Sequence, residues 1–395
     1  MNYVYNNDEY KKGLLERFIR YVKIWTESDG AAADKGIFPS TQRQFDLAKV
    51  LESELKALGL EQVQVTENCY VYAYMPGSST GSGTTDDPVL FLAHMDTVDE
   101  VSGKDVKPVI TTDSTGDTII RSDCTTLLGG DDKAGVSAIM TVLEYLVTHK
   151  DFVHRPVEIL FSPDEETGHG MDKVPLNLIK SKYAYTVDGG AEGELESECF
   201  NAWGAQVTFT GKACHTGDAK ALGMINANLM AGEFAAMLPQ DQRPETTEGH
   251  QGFIALMETT GSIEKAQQNL LLRAFDPAQI EQQKKLLEEN AAKIMQKYGG
   301  KVEISFKQQY LNMKENLDKN PQVLEHLKKA YQEAGVQIIE KPIRGGTDGS
   351  RLTEMGIPTP NIFTGGHEFH SRSEWVSLNS MSKAADVLIN IVALR

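Results

Sequence analysis

Three short apolar runs, each followed by acidic residues, constrain the fold of this chain more than any other feature. The runs are 88–93, 156–161 and 183–187, and a helical pattern over about 133–148 separates the first two. Apolar runs of this length are typical of strands that are buried on both faces. Buried strands joined by a helix indicate an α/β fold, with a mainly parallel sheet covered by helices.

A second pattern interrupts the first between residues 200 and 309. Its order, βαββαβ, comes from strands at 205–210, 252–259, 267–274 and 301–308 and helices at about 221–237 and 277–298. This is the ferredoxin-like order. We therefore predict a larger domain formed by residues 1–199 and 310–395, interrupted by a small inserted domain at 200–309. A Gly/Ser/Thr-rich stretch at 77–85 is predicted to form a surface loop.

Composition excludes several classes of function. With 395 residues, 40% of them hydrophobic and 24% charged, the chain has the balance of a globular protein of two domains. A net charge of −17 argues against a nucleic-acid partner. No apolar run approaches the ~20 residues that cross a membrane, and no signal peptide is recognised. Four scattered cysteines favour free thiols in a reducing compartment, so we expect a cytoplasmic protein.

Acidic clusters follow all three predicted strands, and a fourth precedes the helix between the first two. They contain His94 and Asp96, Glu165 and Glu166, Asp188, and Asp131 with Asp132. The carboxyl ends of parallel strands meet at one edge of a sheet, where these carboxylates would repel each other without a cation. One such cluster alone is usually a solvated turn. Four together, with His370 after the last predicted strand, predict a divalent metal site.

The motifs that carry these residues resemble a known family. They are His94-x-Asp96, GGDDKAG (129–135), PDEE (163–166), VDGG (187–190), RGGTDGS (344–350) and His370. In this order they are similar to the peptidase T branch of the two-zinc aminopeptidase/carboxypeptidase superfamily, and the likeness extends from about residue 12 to the C-terminus. Imidazole and carboxylate ligands also suit zinc on chemical grounds.

The resemblance implies that residues 1–199 and 310–395 form the catalytic domain and that residues 200–309 form a lid or dimerisation-type domain. It also implies a role for each position of the motifs. Two zinc ions per subunit, with Co²⁺ or Mn²⁺ as substitutes, would be bridged by Asp131. His94 and Asp188 would be the further ligands of one ion, and Glu166 and His370 those of the other. Glu165 would act as the general base, and Asp96 would orient His94. His215 would stabilise the oxyanion, and the substrate would be bound by Arg273, Arg344 and Asn312.

The expected activity is metal-dependent removal of the N-terminal residue from short peptides, above all tripeptides, as part of peptide catabolism. A short peptide is therefore the expected binding partner, and the chain is also expected to form a homodimer. Binding to nucleic acid or to a membrane is not expected. Two alternatives stay open: an amidohydrolase or deacylase acting on N-acyl amino acids or dipeptides, and a catalytically inactive metal-binding protein. The segment 97–130, 34 residues long, is shorter than in the enterobacterial members of the branch, which weakens the inference of tripeptide specificity.

Overall fold

The computed structural model describes residues 3–78 and 87–394. The chain divides into two compact units. The first contains residues 1–197, 313–341 and 347–395, and the second contains residues 198–312 and 342–346. Most of the loop predicted at 77–85 lies outside the described residues. No helix among the described residues is long and apolar enough to span a membrane.

Both units contain helices and strands. The helices are α1 Asp8–Val22, α2 Gly30–Ala33, α3 Gln44–Ala57, α4 Gly130–Thr148, α5 Ala219–Leu222, α6 Ala227–Ala236, α7 Pro277–Tyr298, α8 Lys314–Asp318, α9 Pro321–Ala334, α10 Asp348–Glu354 and α11 Leu378–Val392. The strands are β1 Glu61–Val65, β2 Val71–Met75, β3 Val89–His94, β4 Val109–Thr112, β5 Thr118–Arg121, β6 Val157–Ser162, β7 Ala184–Gly189, β8 Glu194–Glu196, β9 Asn201–Thr210, β10 Phe253–Gly261, β11 Lys265–Ala274, β12 Lys301–Tyr310, β13 Ile339–Glu340, β14 Asn361–Phe363, β15 Gly366–His367 and β16 Trp375–Ser377.

The main sheet of the first unit is mostly parallel, with the strand order β1-β2-β6-β3-β7-β14-β8-β13. Its central strands β6, β3, β7 and β14 run parallel to one another. Strands β3 and β6 are buried along their whole length, as their continuous apolar sequences predict. The predicted fold class, an α/β fold with a mainly parallel sheet, is confirmed.

Helix α4 lies close against the strands that carry the acidic residues. A Cβ atom at Gly135 would lie 1.8 Å from the carbonyl oxygen of Val187 in β7, so only glycine allows this approach. The backbone of Asp131 and Asp132 is not helical, and the regular helix begins at Lys133. The carboxylates of Asp131 and Asp132 therefore lie at the N-terminal end of α4, before its regular turns begin.

A small sheet with the order β15-β16-β5-β4 completes the first unit. Strands β4 and β5 form an antiparallel hairpin within the short segment 97–130. The sequence analysis did not predict this sheet, because its strands are two to four residues long. The loop between β15 and β16 carries His370.

The second unit contains one antiparallel sheet with the order β10-β11-β9-β12. This is the strand order of a ferredoxin-like fold, as the βαββαβ pattern predicts. Buried apolar side chains of the sheet, α6 and α7 form its core. The helix predicted at 221–237 is shorter than expected. Gly223, at φ 64°, ends α5, and Asn226 caps α6 through its side chain.

Candidate active site

The carboxyl ends of three parallel strands bring the predicted metal ligands together. His94 is the last residue of β3, and Asp188 is near the end of β7. Glu165 and Glu166 form a single 3-10 turn that follows β6. Since β3 pairs in parallel with both β6 and β7, the three ends lie at the same edge of the sheet.

Two groups of candidate ligands meet at one shared residue. His94 Nε2 lies 2.9 Å from Asp131 Oδ1 and 3.4 Å from Asp188 Oδ1. His370 Nε2 lies 3.4 Å from Asp131 Oδ2 and 3.1 Å from Glu166 Oε2. Within each group the ligand atoms lie within 4.8 Å of one another. Asp131 belongs to both groups and presents a different oxygen to each, which is the arrangement of a bridging carboxylate.

The chemistry of these groups fits two divalent cations. Two imidazoles and three carboxylates are the donors that zinc prefers. Glu166 Oε1 is buried and has no hydrogen-bond partner among the described residues. Burial raises the pKa of Glu166 to about 8 and that of Asp188 to about 7. Carboxylates buried at this cost need a positive charge beside them.

The neighbouring carboxylates raise the pKa values of both histidines. Burial by itself lowers the pKa of His94, but the negative charge of Asp188 and the hydrogen bond to Asp131 raise it well above its usual range. Hydrogen bonds to Asp131 and Glu166 raise the pKa of His370 to about 11. A metal ion must displace the protons from these rings, so metal affinity should increase with pH.

Asp96 connects the histidine to the two glutamates. Its carbonyl oxygen lies 3.1 Å and its Oδ1 3.4 Å from His94 Nδ1, so it contacts the ring it is predicted to orient. The same carboxylate accepts the backbone N–H of Glu165 at 3.0 Å and that of Glu166 at 3.2 Å. Asp96 therefore also fixes the turn that carries the predicted base, a contact that the sequence did not suggest.

Glu165 has the surroundings that a general base needs. Its side chain is partly buried, and none of the described residues donates a hydrogen bond to its carboxylate. Burial raises the pKa of Glu165 well above its usual range, and the negative charges of Asp188 and Asp348 add to this effect. The neighbouring Glu166 faces His370, so the two adjacent glutamates have different environments.

Asp164, immediately before the glutamate pair, is a residue that sequence reasoning missed. Its backbone is left-handed, at φ 57°, and its side chain is fully buried. The carboxylate accepts the Ser40 N–H at 2.6 Å, the Ser40 hydroxyl at 2.5 Å and the Gln44 amide at 2.6 Å, while Gln44 Oε1 accepts the Asp164 N–H at 3.1 Å. These partners lie some 120 residues away, so no local pattern could reveal them.

Asp348, within the RGGTDGS motif, is also buried beside the site. It accepts a hydrogen bond from the Ser162 hydroxyl at 2.5 Å, at the end of β6. Burial raises its pKa to about 7. The motif was visible in the sequence, but only Arg344 within it was singled out.

His215 and Arg273 belong to the second unit. His215 is exposed, and its Nδ1 accepts the backbone N–H of Gly217 at 3.2 Å. Arg273 is 9% exposed, and its Nη1 donates to the carbonyl oxygens of Trp203 and Leu272. Burial lowers the pKa of Arg273. In the described part of the chain no carboxylate pairs with this guanidinium.

Arg344 and Asn312 already have partners within the second unit. Arg344 Nη1 donates to the carbonyl oxygens of Gly249 and Gln251, and Nη2 donates to the Thr247 hydroxyl. Asn312 Oδ1 accepts the Cys199 N–H at 3.1 Å, and its Nδ2 donates to the Phe275 carbonyl at 3.3 Å. Both side chains hold backbone segments in place, and their predicted contacts with substrate stay predictions.

Comparisons with known proteins identify the family. A family model described as peptidase family M20/M25/M40 matches residues 90–394. Peptidase T of Clostridium perfringens (strain 13 / Type A) is 42% identical over 409 aligned positions, which cover 97% of this chain and 99% of the relative. Peptidase T of Geobacillus thermodenitrificans (strain NG80-2) is 41% identical over 97% of this chain and 98% of the relative.

A solved structure shares the same fold. Aminopeptidase PepT from Bacillus cereus ATCC 10987 superposes with a TM-score of 0.78 at 23% identity, over 97% of this chain and 98% of that one. The curated relatives confirm the predicted resemblance to peptidase T and the interpretation as a metal-dependent aminopeptidase, and the solved structure confirms the fold. The chain therefore belongs to peptidase family M20/M25/M40.

Proposed function

We propose that this peptidase uses two zinc ions to remove the N-terminal residue from tripeptides. The observation that carries the proposal is the position of Asp131, whose two carboxylate oxygens face two separate groups of donors. One cation would be held by His94, Asp188 and Asp131, and the other by Glu166, His370 and Asp131. Co²⁺ and Mn²⁺ accept the same donors and are the expected substitutes.

The cations and the protein divide the chemistry. Two bound cations would polarise the scissile carbonyl and lower the pKa of the attacking water. Glu165, whose carboxylate has no hydrogen-bond donor among the described residues, takes the proton from that water at a carboxylate oxygen and passes it to the departing amine. Asp96 keeps Glu165 in place through the backbone N–H.

His215 of the second unit is proposed to stabilise the oxyanion. Because its Nδ1 accepts the N–H of Gly217, the neutral ring carries its proton on Nε2. That N–H is exposed and can donate to a developing negative oxygen, which is the usual form of oxyanion stabilisation.

Arg273 is proposed to bind the C-terminal carboxylate of the peptide. This buried guanidinium donates to backbone carbonyls and lies over the Tyr310 ring, and none of the described carboxylates pairs with it. A peptide carboxylate would supply that charge in two-pronged geometry. A fixed carboxylate would let the enzyme measure peptide length, which supports a preference for tripeptides. Arg344 and Asn312 are the other proposed substrate-binding residues, and their hydrogen bonds to backbone carbonyls of the second unit hold their side chains in place.

The decisive experiment is hydrolysis of matched di-, tri- and tetrapeptides, each with free and blocked ends, by zinc-loaded and chelator-treated protein. We expect zinc-dependent cleavage that requires a free N-terminus and is fastest with tripeptides. Preferential cleavage of N-acylated substrates would instead identify a deacylase, and metal binding without any hydrolysis would identify an inactive metal-binding protein.

All four cysteines lie within the described residues, and none of them forms a disulfide bond there, as the sequence analysis expected. Free thiols fit a reducing compartment, and we propose that the enzyme acts in the cytoplasm. A homodimer stays a prediction, which sedimentation of the purified protein would test.

A further inference from the structure

Glu374 is a fully buried carboxylate that lies beside the candidate metal site without belonging to it. Its Oε2 accepts the backbone N–H of Leu128 at 3.1 Å and that of Gly129 at 2.8 Å, and its Oε1 accepts the N–H of Asp131 at 2.9 Å. A carboxylate that accepts three backbone donors holds that backbone more firmly than a neutral acceptor would. The N–H of the residue shared by both donor groups is one of the three.

Glu374 also contacts the loop that carries His370. Glu374 follows His370 by four positions, and its N–H donates to the Ser371 carbonyl at 3.3 Å, within the loop between β15 and β16. A Cβ atom at Gly130 would lie 2.6 Å from Val376 Cγ2 and 3.0 Å from Glu374 Oε1. The segment before Asp131 and the His370 loop are therefore in direct contact, and the carboxylate of Glu374 joins them.

We propose that Glu374 is a positioning residue that sets the distance between Asp131 and His370, and hence the affinity of the site for its cations. This inference rests on the ligand set given under the proposed function. A bridging carboxylate must present both oxygens at fixed positions, and removal of groups that orient metal ligands typically costs 10–100-fold in metal affinity. The alternative is that Glu374 stabilises the fold and nothing more.

Glu158 provides a matched control. It is likewise fully buried, and its carboxylate accepts the backbone N–H of Lys180 at 2.9 Å and of Ser181 at 2.8 Å and the hydroxyl of Tyr72 at 2.7 Å. Unlike Glu374, it has none of the candidate metal ligands among these partners. Glu158→Gln should therefore disturb a similar carboxylate network while leaving metal affinity unchanged.

The test is calorimetric titration of chelator-treated protein with Zn²⁺ alone, for wild type, Glu374→Gln and Glu158→Gln, with thermal unfolding of each metal-free protein. We expect Zn²⁺ binding about 10–100-fold weaker in Glu374→Gln and of wild-type strength in Glu158→Gln, although both lower the unfolding temperature. Wild-type affinity in Glu374→Gln, or an equal loss in Glu158→Gln, would overturn the proposal.

A second variant covers the case in which Glu374→Gln does not fold. Glu374→Asp keeps the charge but cannot reach all three N–H groups, so Zn²⁺ affinity should fall by a smaller factor. Unchanged affinity in Glu374→Asp would also overturn the proposal. If wild-type protein shows no Zn²⁺ binding that depends on Asp131, the ligand set is wrong instead, so the two failures are distinguishable.

Discussion

Asp96→Asn tests whether Asp96 fixes the turn that carries Glu165 and Glu166. In the wild type, Asp96 Oδ1 and Oδ2 accept the N–H groups of Glu165 and Glu166 at 3.0 and 3.2 Å. An asparagine keeps one oxygen and places an NH₂ group where the second stood. One of the two backbone donors then loses its acceptor and faces another donor instead.

The size of the effect follows from these contacts. A hydrogen bond to a charged group contributes about 1.5–3 kcal/mol, so losing one should lower the free energy of unfolding by roughly that amount. A displaced turn also moves Glu165 away from the attacking water. Misplacement of a catalytic group by about 1 Å can cost on the order of 10²-fold in rate, and we expect a loss of kcat of that order at saturating zinc.

Three measurements check this prediction: kcat on a tripeptide at saturating zinc, zinc affinity by titration, and the unfolding temperature. Asp386→Asn is the control, because Asp386 is a fully buried carboxylate that also accepts backbone N–H groups, those of Tyr3, Val4 and Tyr5, and none of these partners is a candidate site residue. The control should lose stability but keep kcat. Full activity of Asp96→Asn would refute the idea that Asp96 fixes the turn.

The remaining predictions concern the base, the substrate and pH. Glu165→Gln should keep both metals, measured by elemental analysis, and lose about 10²-fold or more of kcat; loss of metal would show that Glu165 is a ligand. Arg273→Ala should raise KM for free tripeptides, and amidation of the peptide should have the same effect without adding to it; equal cleavage of free and amidated tripeptides by wild type would contradict this. Burial raises the pKa of Glu196 to about 8 from its usual 4.5, so the folded state binds this proton more tightly than the unfolded state does. The stability that the bound proton contributes is fully present below pH 4.5 and is lost as the pH rises through 8. A glutamine does not titrate, so the unfolding temperature of Glu196→Gln minus that of wild type should increase from pH 6 to pH 9. If this difference stays constant, Glu196 does not titrate in that range.

The sequence predicted the parts of the site that strand ends determine. His94 and Asp188 follow apolar runs, and parallel strands bring their carboxyl ends to one edge, so local patterns were enough. The fold class followed from the same runs. The small sheet β15-β16-β5-β4 was missed because its strands are too short to give a hydrophobic period.

Residues that act through distant backbone groups could not be predicted in this way. Glu374 accepts N–H groups more than 240 positions away, and Asp164 is held by Ser40 and Gln44. Neither contact leaves a periodic signal. Arg344 shows a related limit, since nothing in the sequence indicated its hydrogen bonds to the Gly249 and Gln251 carbonyls, and its predicted contact with substrate stays a prediction.

The shared position of Asp131 has a consequence for how the site fills. If one carboxylate serves both cations, the binding of the first orients an oxygen for the second, and occupancy of the two positions is thermodynamically linked. Such linkage is reciprocal, so each cation must change the affinity of the other by the same factor. The enzyme would then respond to scarce metal by dividing into fully loaded and empty molecules rather than by accumulating half-loaded ones.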